Sequence, residues 1–315
     1  GKIWDYADRI DNSPQLTIAL LKQLVDQAGV PAQNICIGDP SRIMPNYYYN
    51  MVSNTPGLED VIYLTRYGSP ASGRKLVQYS DERFHWSDPD AQYMQTVSRE
   101  DFLPVSFAEA DYMVNFAVLK THSLNGITLC AKNHFGSLIR NPSPDNDKPW
   151  YRGSYDMHRS LAGSVPGMGH YRCLVDLMGH RNLGGKTILY MIDGLIAGHD
   201  WEGIPERWRT EPFNGDWPNS ILISQDPVAI DSVGFDFLYA EWPDGYANMD
   251  GVLDYLQEAA LASAPPSGAV YDPDGDGKPL ASLGVHEHWN NAHDRQYSRN
   301  LGAGEGIELL ALETR

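Results

Sequence analysis

The chain of 315 residues is 42% hydrophobic and 21% charged, which is typical of a folded protein of one large or two ordinary domains. Its formal net charge of −17 argues against nucleic acid or an anionic membrane surface as a partner, because both require basic patches. The three cysteines form no CxxC pair, which excludes a zinc–thiolate or cubane iron–sulfur site within the chain. No apolar run reaches the roughly 18 residues of a membrane span, so no membrane insertion is expected.

The start of the chain bears on where the protein resides. Gly1 is typical of a residue left after cloning, and the sequence is compatible with a native leader having been removed ahead of Lys2. Together with the acidic composition, this favours export to the periplasm or the outside of a bacterial cell. A cytoplasmic location stays open.

The first predicted unit is an amphipathic helix over 14–28, capped by Ser13 and followed by a short buried strand over 34–38. Asp39 and Ser41 come directly after that strand. Two interpretations are about equal: they contact a ligand at the carboxyl end of the strand, or they cap the turn.

The central stretch predicts a buried strand over 112–119, a turn containing glycine and a helix beginning near Thr128. Ligands in α/β proteins bind where strands end and helix N-termini converge, so the polar residues that follow this strand are site candidates. The alternative is that they only hold a loop in place. The candidate binding residues of this stretch are Lys120, Thr121, His122, Asn125, Lys132, Asn133 and His134.

Two later strands also end in polar residues. The strand over 187–192 runs into Asp193, and the strand over 219–224 runs into Asp226 and a helix that carries Asp231 in its first turn. Strand–turn–helix units thus recur, which predicts an α/β fold with a mixed or mostly parallel sheet flanked by helices in Rossmann-like units. The four units span residues 34–41, 112–139, 187–202 and 221–238.

Composition divides the chain at about residue 261. Residues 1–261 are predicted to form the α/β domain, and 262–315 a small irregular extension packed on it. Within the domain, residues 141–169 are rich in Pro, Gly and Asn and form a long irregular stretch. Such a stretch is either a functional loop or a solvated insertion.

The extension contains two candidate metal sites. Asp272, Asp274 and Asp276 match the first half of a calcium loop, although Leu283 stands where the bidentate glutamate is expected, and a plain Asp/Gly turn is the alternative. His286 and His288 would share one face of a strand, with His293 close behind. A divalent ion (calcium, zinc or nickel) is therefore predicted without its identity, against the alternative of histidines bonded to backbone. Residues 306–310 are predicted to form a closing strand.

Three segments together resemble the bacterial and archaeal domain-of-unknown-function family 362. They are LLKQLVDQAG with NICIGDPS, ADYMVNFAVLKTH with LNGITLCAKNHFG, and ISQDPVAIDSVGFDFL, within roughly residues 15 to 240. Some relatives in that family carry a ferredoxin-like cluster domain, which this chain lacks. Others look exported by the twin-arginine route, which agrees with the expectation of export.

A more distant likeness is to the nickel-pincer lactate racemases. In that family a strand-end histidine is followed by a glycine turn and a lysine that meets the pincer nucleotide, and His122, Gly126 and Lys132 are similar in pattern. The likeness implies that His122 transfers protons and that Lys132 contacts a cofactor or anion. The nickel-binding histidine has no single match, since His134, His158 and His170 all qualify.

Two classes of function follow. The first is an enzyme that binds a small anionic substrate or a phosphorylated or metal cofactor at the strand ends, with His122 as acid/base and Lys120 and Lys132 as anion contacts. Asp193, Asp226 and Asp231 would be its partners or metal ligands. The second is a non-catalytic secreted protein that binds a metal or a carbohydrate, supported by the 8 tryptophans and 18 tyrosines. In both cases the partner is a small molecule, and the oligomeric state is open.

Overall fold

The computed structural model describes residues 11–66, 72–91, 100–138, 165–200, 205–243 and 249–313. Its helices, in chain order, are α1 (Pro14–Lys22), α2 (Asn46–Ser53), α3 (Val105–Ala108), α4 (Cys130–Asn133), α5 (Cys173–Gly179), α6 (Pro227–Glu241) and α7 (Met249–Ala260). Its strands are β1 (Cys36–Ile37), β2 (Ile62–Thr65), β3 (Lys75–Leu76), β4 (Tyr79–His85), β5 (Glu100–Pro104), β6 (Met113–His122), β7 (Gly126–Thr128), β8 (Thr187–Gly198) and β9 (Ser220–Ser224).

Three sheets organise these strands. β1, β2 and β3 form a small parallel sheet, and β4 pairs antiparallel with β5. The central sheet has the order β7-β6-β8-β9, in which β6 and β8 run parallel and both outer strands run antiparallel to their neighbours. The predicted α/β class, with parallel and mixed sheets flanked by helices, is confirmed.

The two faces of the central sheet differ in what they contact. Alternate residues of a strand face opposite sides, and Ala117 and Leu119 of β6 lie in the main hydrophobic core with side chains of α4, α5, α6 and α7. Lys120 and His122, which are offset by one position, therefore project from the other side. We call the side that carries Lys120 and His122 the second face of the central sheet.

Helix α1 begins against the second face. Ser13 caps the helix by accepting a hydrogen bond from the amide of Leu16, as predicted, and a π-helical turn over Gln23–Gln27 extends the helix to nearly the predicted length. The backbone amide of Ser13 donates to Oδ2 of Asp193 over 2.7 Å. Asn12 donates to the carbonyl of Ala117 in β6. The amino end of α1 is thereby fixed to both parallel strands of the central sheet.

Strand β6 is longer than the sequence pattern predicts. It does not stop at Lys120 but continues through His122, and the chain then turns at Gly126, which has a φ of +74°. The residues from Gly126 to Thr128 pair antiparallel with the end of β6, so the helix begins two residues later than predicted. Helix α4 begins at Cys130 and has four residues. The physical reason is that Ile127 and Leu129 alternate with polar or small residues and bury their side chains in the core as strand residues do.

The direction of β9 makes the central sheet mixed. β9 runs antiparallel to β8, with Tyr190 opposite Ser224 and Gly194 opposite Ser220. The carboxyl end of β9 therefore lies beside the amino-terminal half of β8. It is at the opposite end of the sheet from the carboxyl ends of β6 and β8. The polar residues that follow the strands do not all gather at one edge.

The residues after α7 pack along the molecule without regular secondary structure. Tyr271 is fully buried in the main core, while Tyr297 and Ile307 form a smaller cluster with Val233 of α6. Residues 306–310, predicted as a strand, form none, because the amide of Ile307 donates to Oε1 of Glu287 instead of to a strand neighbour. The boundary at residue 261 stays a prediction. No helix in the described ranges is long and apolar enough to cross a bilayer.

Candidate functional site

The end of β6 places three polar side chains on one face. In the β6–β7 ladder, Lys120 lies opposite Thr128 and His122 lies opposite Gly126, so Thr128 shares the second face with Lys120 and His122. The exposed fractions are 1% for Lys120, 6% for His122 and 8% for Thr128. A cation, an imidazole and a hydroxyl are thus held together away from bulk water, which strengthens their electrostatic interactions.

The hydroxyl of Thr128 is buried, and no residue within the described ranges hydrogen-bonds its Oγ1 atom. A buried hydroxyl without a partner costs free energy, and folded proteins keep few of them. Such a group is a candidate for a contact that the protein completes with a ligand. Thr128 was predicted only as the start of a helix, and its position directly across from Lys120 requires the strand pairing.

The imidazole of His122 is held in one orientation by the next turn of chain. Its Nδ1 accepts a hydrogen bond from the backbone amide of Leu124 over 3.0 Å. Nδ1 therefore carries the lone pair in the neutral ring, and Nε2 carries the proton. Nε2 is the atom that this arrangement presents for donating a hydrogen bond to a bound ligand.

Asp200 joins the ends of the two parallel strands. Its backbone amide donates to Oγ1 of Thr121 over 2.8 Å, and its Oδ1 accepts from the amide of Ser123 over 3.1 Å. Its φ of +67° is uncommon for a residue with a side chain, which indicates that these contacts fix the backbone there. Asp200 was not singled out from the sequence. Asn125, which was predicted as a ligand contact, donates to the carbonyl of Ile127 in the same turn.

Asp231 occupies the start of α4. The amides of Cys130 and Ala131 donate to its two carboxylate oxygens over 2.8 and 2.9 Å, and the hydroxyl of Tyr255 donates over 3.1 Å. Burial raises the pKa of Asp231 to about 6, and the hydrogen bonds from these amides and from Tyr255 oppose that rise. The predicted anion site at this helix start is thus filled by a carboxylate of the protein itself.

The other candidates on and after α4 lie on the core side. Asn133 donates to Oδ1 of Asn115, a residue of β6 that faces the core, and the ammonium of Lys132 lies 5.5 Å from the centre of the Phe135 ring. His134 is 1% exposed, with its ring edge-on to Tyr190, and burial lowers its pKa to about 3.

The positions of His122, Lys132 and His134 show whether they could hold the nickel cofactor that the racemase likeness implies. His122 projects from the second face, whereas α4, which carries Lys132 and leads into His134, packs against the opposite face. The described residues therefore do not gather the ligand set that the likeness implies, and no step is routed through nickel. His170, another candidate, lines a cleft of about 370 Å³ beside Asp88 and Ser267, and His158 lies outside the described residues.

Three predicted binding carboxylates bond to the backbone in the structure. Asp39 accepts from the amide and hydroxyl of Ser41 and lies against Gly136, where an added Cβ would be 3.0 Å from its Oδ1. Asp193 lies inside β8 and accepts from Ser13 and Leu195. Asp226 caps α6 by accepting from the next two free amides and also accepts from Val285. Burial raises the pKa of Asp39 and of Asp193.

The calcium-like loop is bonded within itself and to its neighbours. Asp272 accepts from the amides of Asp276 and Gly277, and Asp274 accepts from the amide of Arg181. Asp276 forms an ion pair of 2.7 Å with Lys278. These contacts are those of an Asp/Gly turn, the alternative interpretation of the sequence. In the described part of the chain, no three His, Cys, Asp or Glu side chains are grouped to hold a metal ion.

The three C-terminal histidines separate into a pair and a single residue. His286 and His288 have ring centres 5.0 Å apart, and their Nδ1 atoms contact Oγ of Ser232 and Oδ1 of Asp236. His293 is exposed and contacts Glu211 instead. The predicted shared face of the first two is therefore observed, although no strand carries them.

Among the tryptophans, which could stack against a carbohydrate, Trp208 and Trp242 are core residues. Trp208 is fully buried and contacts Trp242 and Phe213 edge-on at 5.0 and 5.2 Å between ring centres. Trp217 lies beneath the guanidinium of Arg207. Trp201 and the greater part of the long stretch 141–169 lie outside the described residues.

Sequence reasoning overlooked helix α7. Its Tyr255 reaches Asp231, and its buried Asp254 pairs with Arg172 over 2.6 Å. The spacing of Val252, Leu256 and Ala259, all buried, is the signal that predicts such a helix.

Comparison with known proteins identifies a family. The family model described as domain of unknown function (DUF362) matches residues 12–236, which is more than half of the chain. No curated protein and no solved structure matches the chain. The match covers the central sheet up to the middle of α6 and stops before the C-terminal histidines. The chain therefore belongs to the family described as domain of unknown function (DUF362).

Proposed function

We propose that the protein is an enzyme that binds a small anionic substrate on the second face of the central sheet, at the end of β6. Lys120 supplies the positive charge, Thr128 a hydroxyl and His122 a proton carried on Nε2. The observation that carries the proposal is the buried hydroxyl of Thr128, unsatisfied by the described residues, directly across the ladder from the buried Lys120.

The chemistry of the three groups supports an anionic ligand. A lysine ammonium strengthens hydrogen bonds to carboxylate or phosphate oxygens, and a threonine hydroxyl can donate one more. A neutral imidazole whose Nε2 carries the proton donates a hydrogen bond to the ligand. It takes up a proton near neutral pH only through its lone pair, so acid/base chemistry at the ligand uses the tautomer with the lone pair on Nε2. Lys132 stays a predicted contact, and it is tested beside Lys120.

Ligand binding tests the proposal, with inorganic phosphate, L-lactate and pyruvate as probes. Calorimetric titration of the full chain should give saturable binding of at least one probe, and Lys120→Met should weaken it at least about tenfold. Lys75→Met, an exposed lysine of β3, is the matched control and should bind as the unaltered chain does. Lys132→Ala decides whether the second lysine contributes. Failure of all three probes to bind, or equal affinity in Lys120→Met, would show the proposal to be wrong.

A second variant separates a ligand contact from a structural role. Thr128→Val keeps the shape of the side chain and removes the unsatisfied hydroxyl, so it should raise the free energy of unfolding by about 1 kcal/mol. The same change should weaken the bound probe. A less stable Thr128→Val with unchanged affinity would mean that the hydroxyl serves the fold.

Proton transfer is tested at His122. Exchange of the methyl hydrogens of pyruvate in deuterated water, followed by NMR against a protein-free control, reports acid/base chemistry directly. His122→Gln should abolish exchange while the affinity for the probe changes by no more than about threefold, because the lysine charge is retained. Exchange that persists in His122→Gln would remove the acid/base role.

A further inference from the structure

We propose that His286 and His288 form a binding site for one divalent transition-metal ion, with zinc as the expected occupant, on the surface of α6. Both histidines lie beyond residue 236, where the family match ends, and the site is independent of the proposed anion site. Its argument rests on three observations: the tautomers of the two rings, their separation and their exposure.

The hydrogen bonds at Nδ1 fix the tautomer of each ring. The hydroxyl of Ser232 donates its proton to the carbonyl of Val228 over 2.8 Å, so at 2.9 Å it can only accept from Nδ1 of His286. Nδ1 of His288 donates to Oδ1 of Asp236 over 2.6 Å. In both rings the lone pair is therefore on Nε2, which is the usual arrangement of a metal-binding histidine held by a carboxylate or hydroxyl behind it.

The separation of the rings fits one shared ion. With a metal–nitrogen bond of about 2.0–2.1 Å, each ring centre lies about 3.2 Å from the ion, and a tetrahedral angle places the two centres about 5 Å apart. The observed distance between the ring centres is 5.0 Å, with the ring planes at 83°. Ser232 and Asp236, which hold the two rings, lie one turn apart on α6, so the helix keeps the rings at this separation.

The pair is accessible and free to bind. The side chain of His288 is 44% exposed and that of His286 is partly exposed, so an ion can reach the pair from solution. The carboxylate between them in sequence, Glu287, accepts from Ser298 and Ile307. Since no third His, Cys, Asp or Glu among the described residues completes the set, water or a small anion would fill the remaining positions.

The test uses the full chain freed of metal by dialysis against a chelator. Titration with Zn²⁺ should show one equivalent bound, and Co²⁺ in its place should give the visible absorption of a tetrahedral site. His286→Asn and His288→Asn retain an amide donor near the position of Nδ1 and remove Nε2, so the chain should fold normally while the dissociation constant rises at least about tenfold. His293→Asn, in the exposed histidine bonded to Glu211, is the control and should leave the affinity unchanged.

Two results would overturn the proposal. One is the absence of saturable Zn²⁺ binding to the full chain. The other is binding that both His286→Asn and His288→Asn retain at full affinity, which would place the ion elsewhere. Circular dichroism and melting temperature of each variant show that a lost affinity reflects a lost ligand and not an unfolded chain.

Discussion

Asp176 shows how one buried carboxylate joins distant parts of this acidic chain. It lies in α5, is fully buried and accepts hydrogen bonds from the amide and hydroxyl of Ser87 and from the hydroxyl of Tyr171. The Ser87 hydroxyl in turn accepts from the amide of Asp272. Burial raises the pKa of Asp176 from 3.8 to about 7, against the opposing effect of these hydrogen bonds.

A pH dependence of stability follows from that pKa. Well below pH 4 the carboxyl of Asp176 is protonated in both the folded and the unfolded chain, so its burial carries no cost of ionisation and the free energy of unfolding is at its highest with respect to this group. As the pH rises from about 4 to about 7, the unfolded chain ionises first, so the free energy of unfolding falls. Urea unfolding at several pH values should show this fall in the unaltered chain and a smaller fall in Asp176→Asn. Asp88→Asn, a neighbour outside the network, should keep the full fall, and equal slopes in all three chains would contradict the prediction.

Sequence reasoning located polar residues better than it assigned their roles. The run from Lys120 to His122 after a buried strand was predictable, because apolar alternation that ends in polar residues is a local signal. The contacts of Asp193 with Ser13 and of Asp231 with the start of α4 were not predictable, since those backbone amides lie 180 and 100 or 101 residues away in sequence. The partner that decides such a role is brought near only by the fold.

At the scale of elements, the β6–β7 hairpin explains both the success and the error of the prediction. The apolar pattern indicated a strand, but it could not tell the end of the strand from a turn that continues into an antiparallel partner. That distinction depends on the positive φ of Gly126 and on the core position of Ile127. The consequence is functional, because pairing brings Thr128 across from Lys120, whereas a helix beginning there would not.

The residue that caps helix α6, Asp226, also bonds to the C-terminal residues. Asp226 accepts from the amides of Val228 and Ala229 with one oxygen and from Val285 with the other. Asp226→Ala should therefore lower the free energy of unfolding by about 1–2 kcal/mol, and it should also speed amide exchange at residues 284–289. Both quantities are measurable by denaturant unfolding and hydrogen exchange.

Ser13 provides the matched control for that experiment. Ser13 caps α1 through its side chain, far from the C-terminal residues, so Ser13→Ala should cost about 1 kcal/mol without changing exchange at 284–289. If Asp226→Ala left the exchange there unchanged, the cap would not hold the C-terminal residues. If both variants increased it, the effect would be one of general instability.

At the scale of the whole molecule, the C-terminal residues pack into the hydrophobic core and do not only cover its surface. Tyr271 is buried in the main core, Leu280 lies against Gly179 of α5, and Tyr297 donates to Asp236 from a fully buried position. Contacts of this kind reach α5, α6 and, through the hydrogen bond from Tyr271 to Glu258, α7. We therefore expect the chain to unfold in one transition, with the extension and the preceding residues melting together.

Truncation tests whether residues 262–315 unfold together with the rest of the chain or independently of it. A chain ending at Leu283 loses the cluster of Tyr297 and Ile307, and burial of a side chain of the size of isoleucine contributes about 1.5–3 kcal/mol, so its single unfolding midpoint should fall clearly. A chain ending at Leu309 is the control. It removes Leu310 and Leu312, which are 70% and 89% exposed, and should unfold as the full chain does. Two transitions in the full chain, the later one unchanged by truncation at Leu283, would show instead that residues before the extension fold alone.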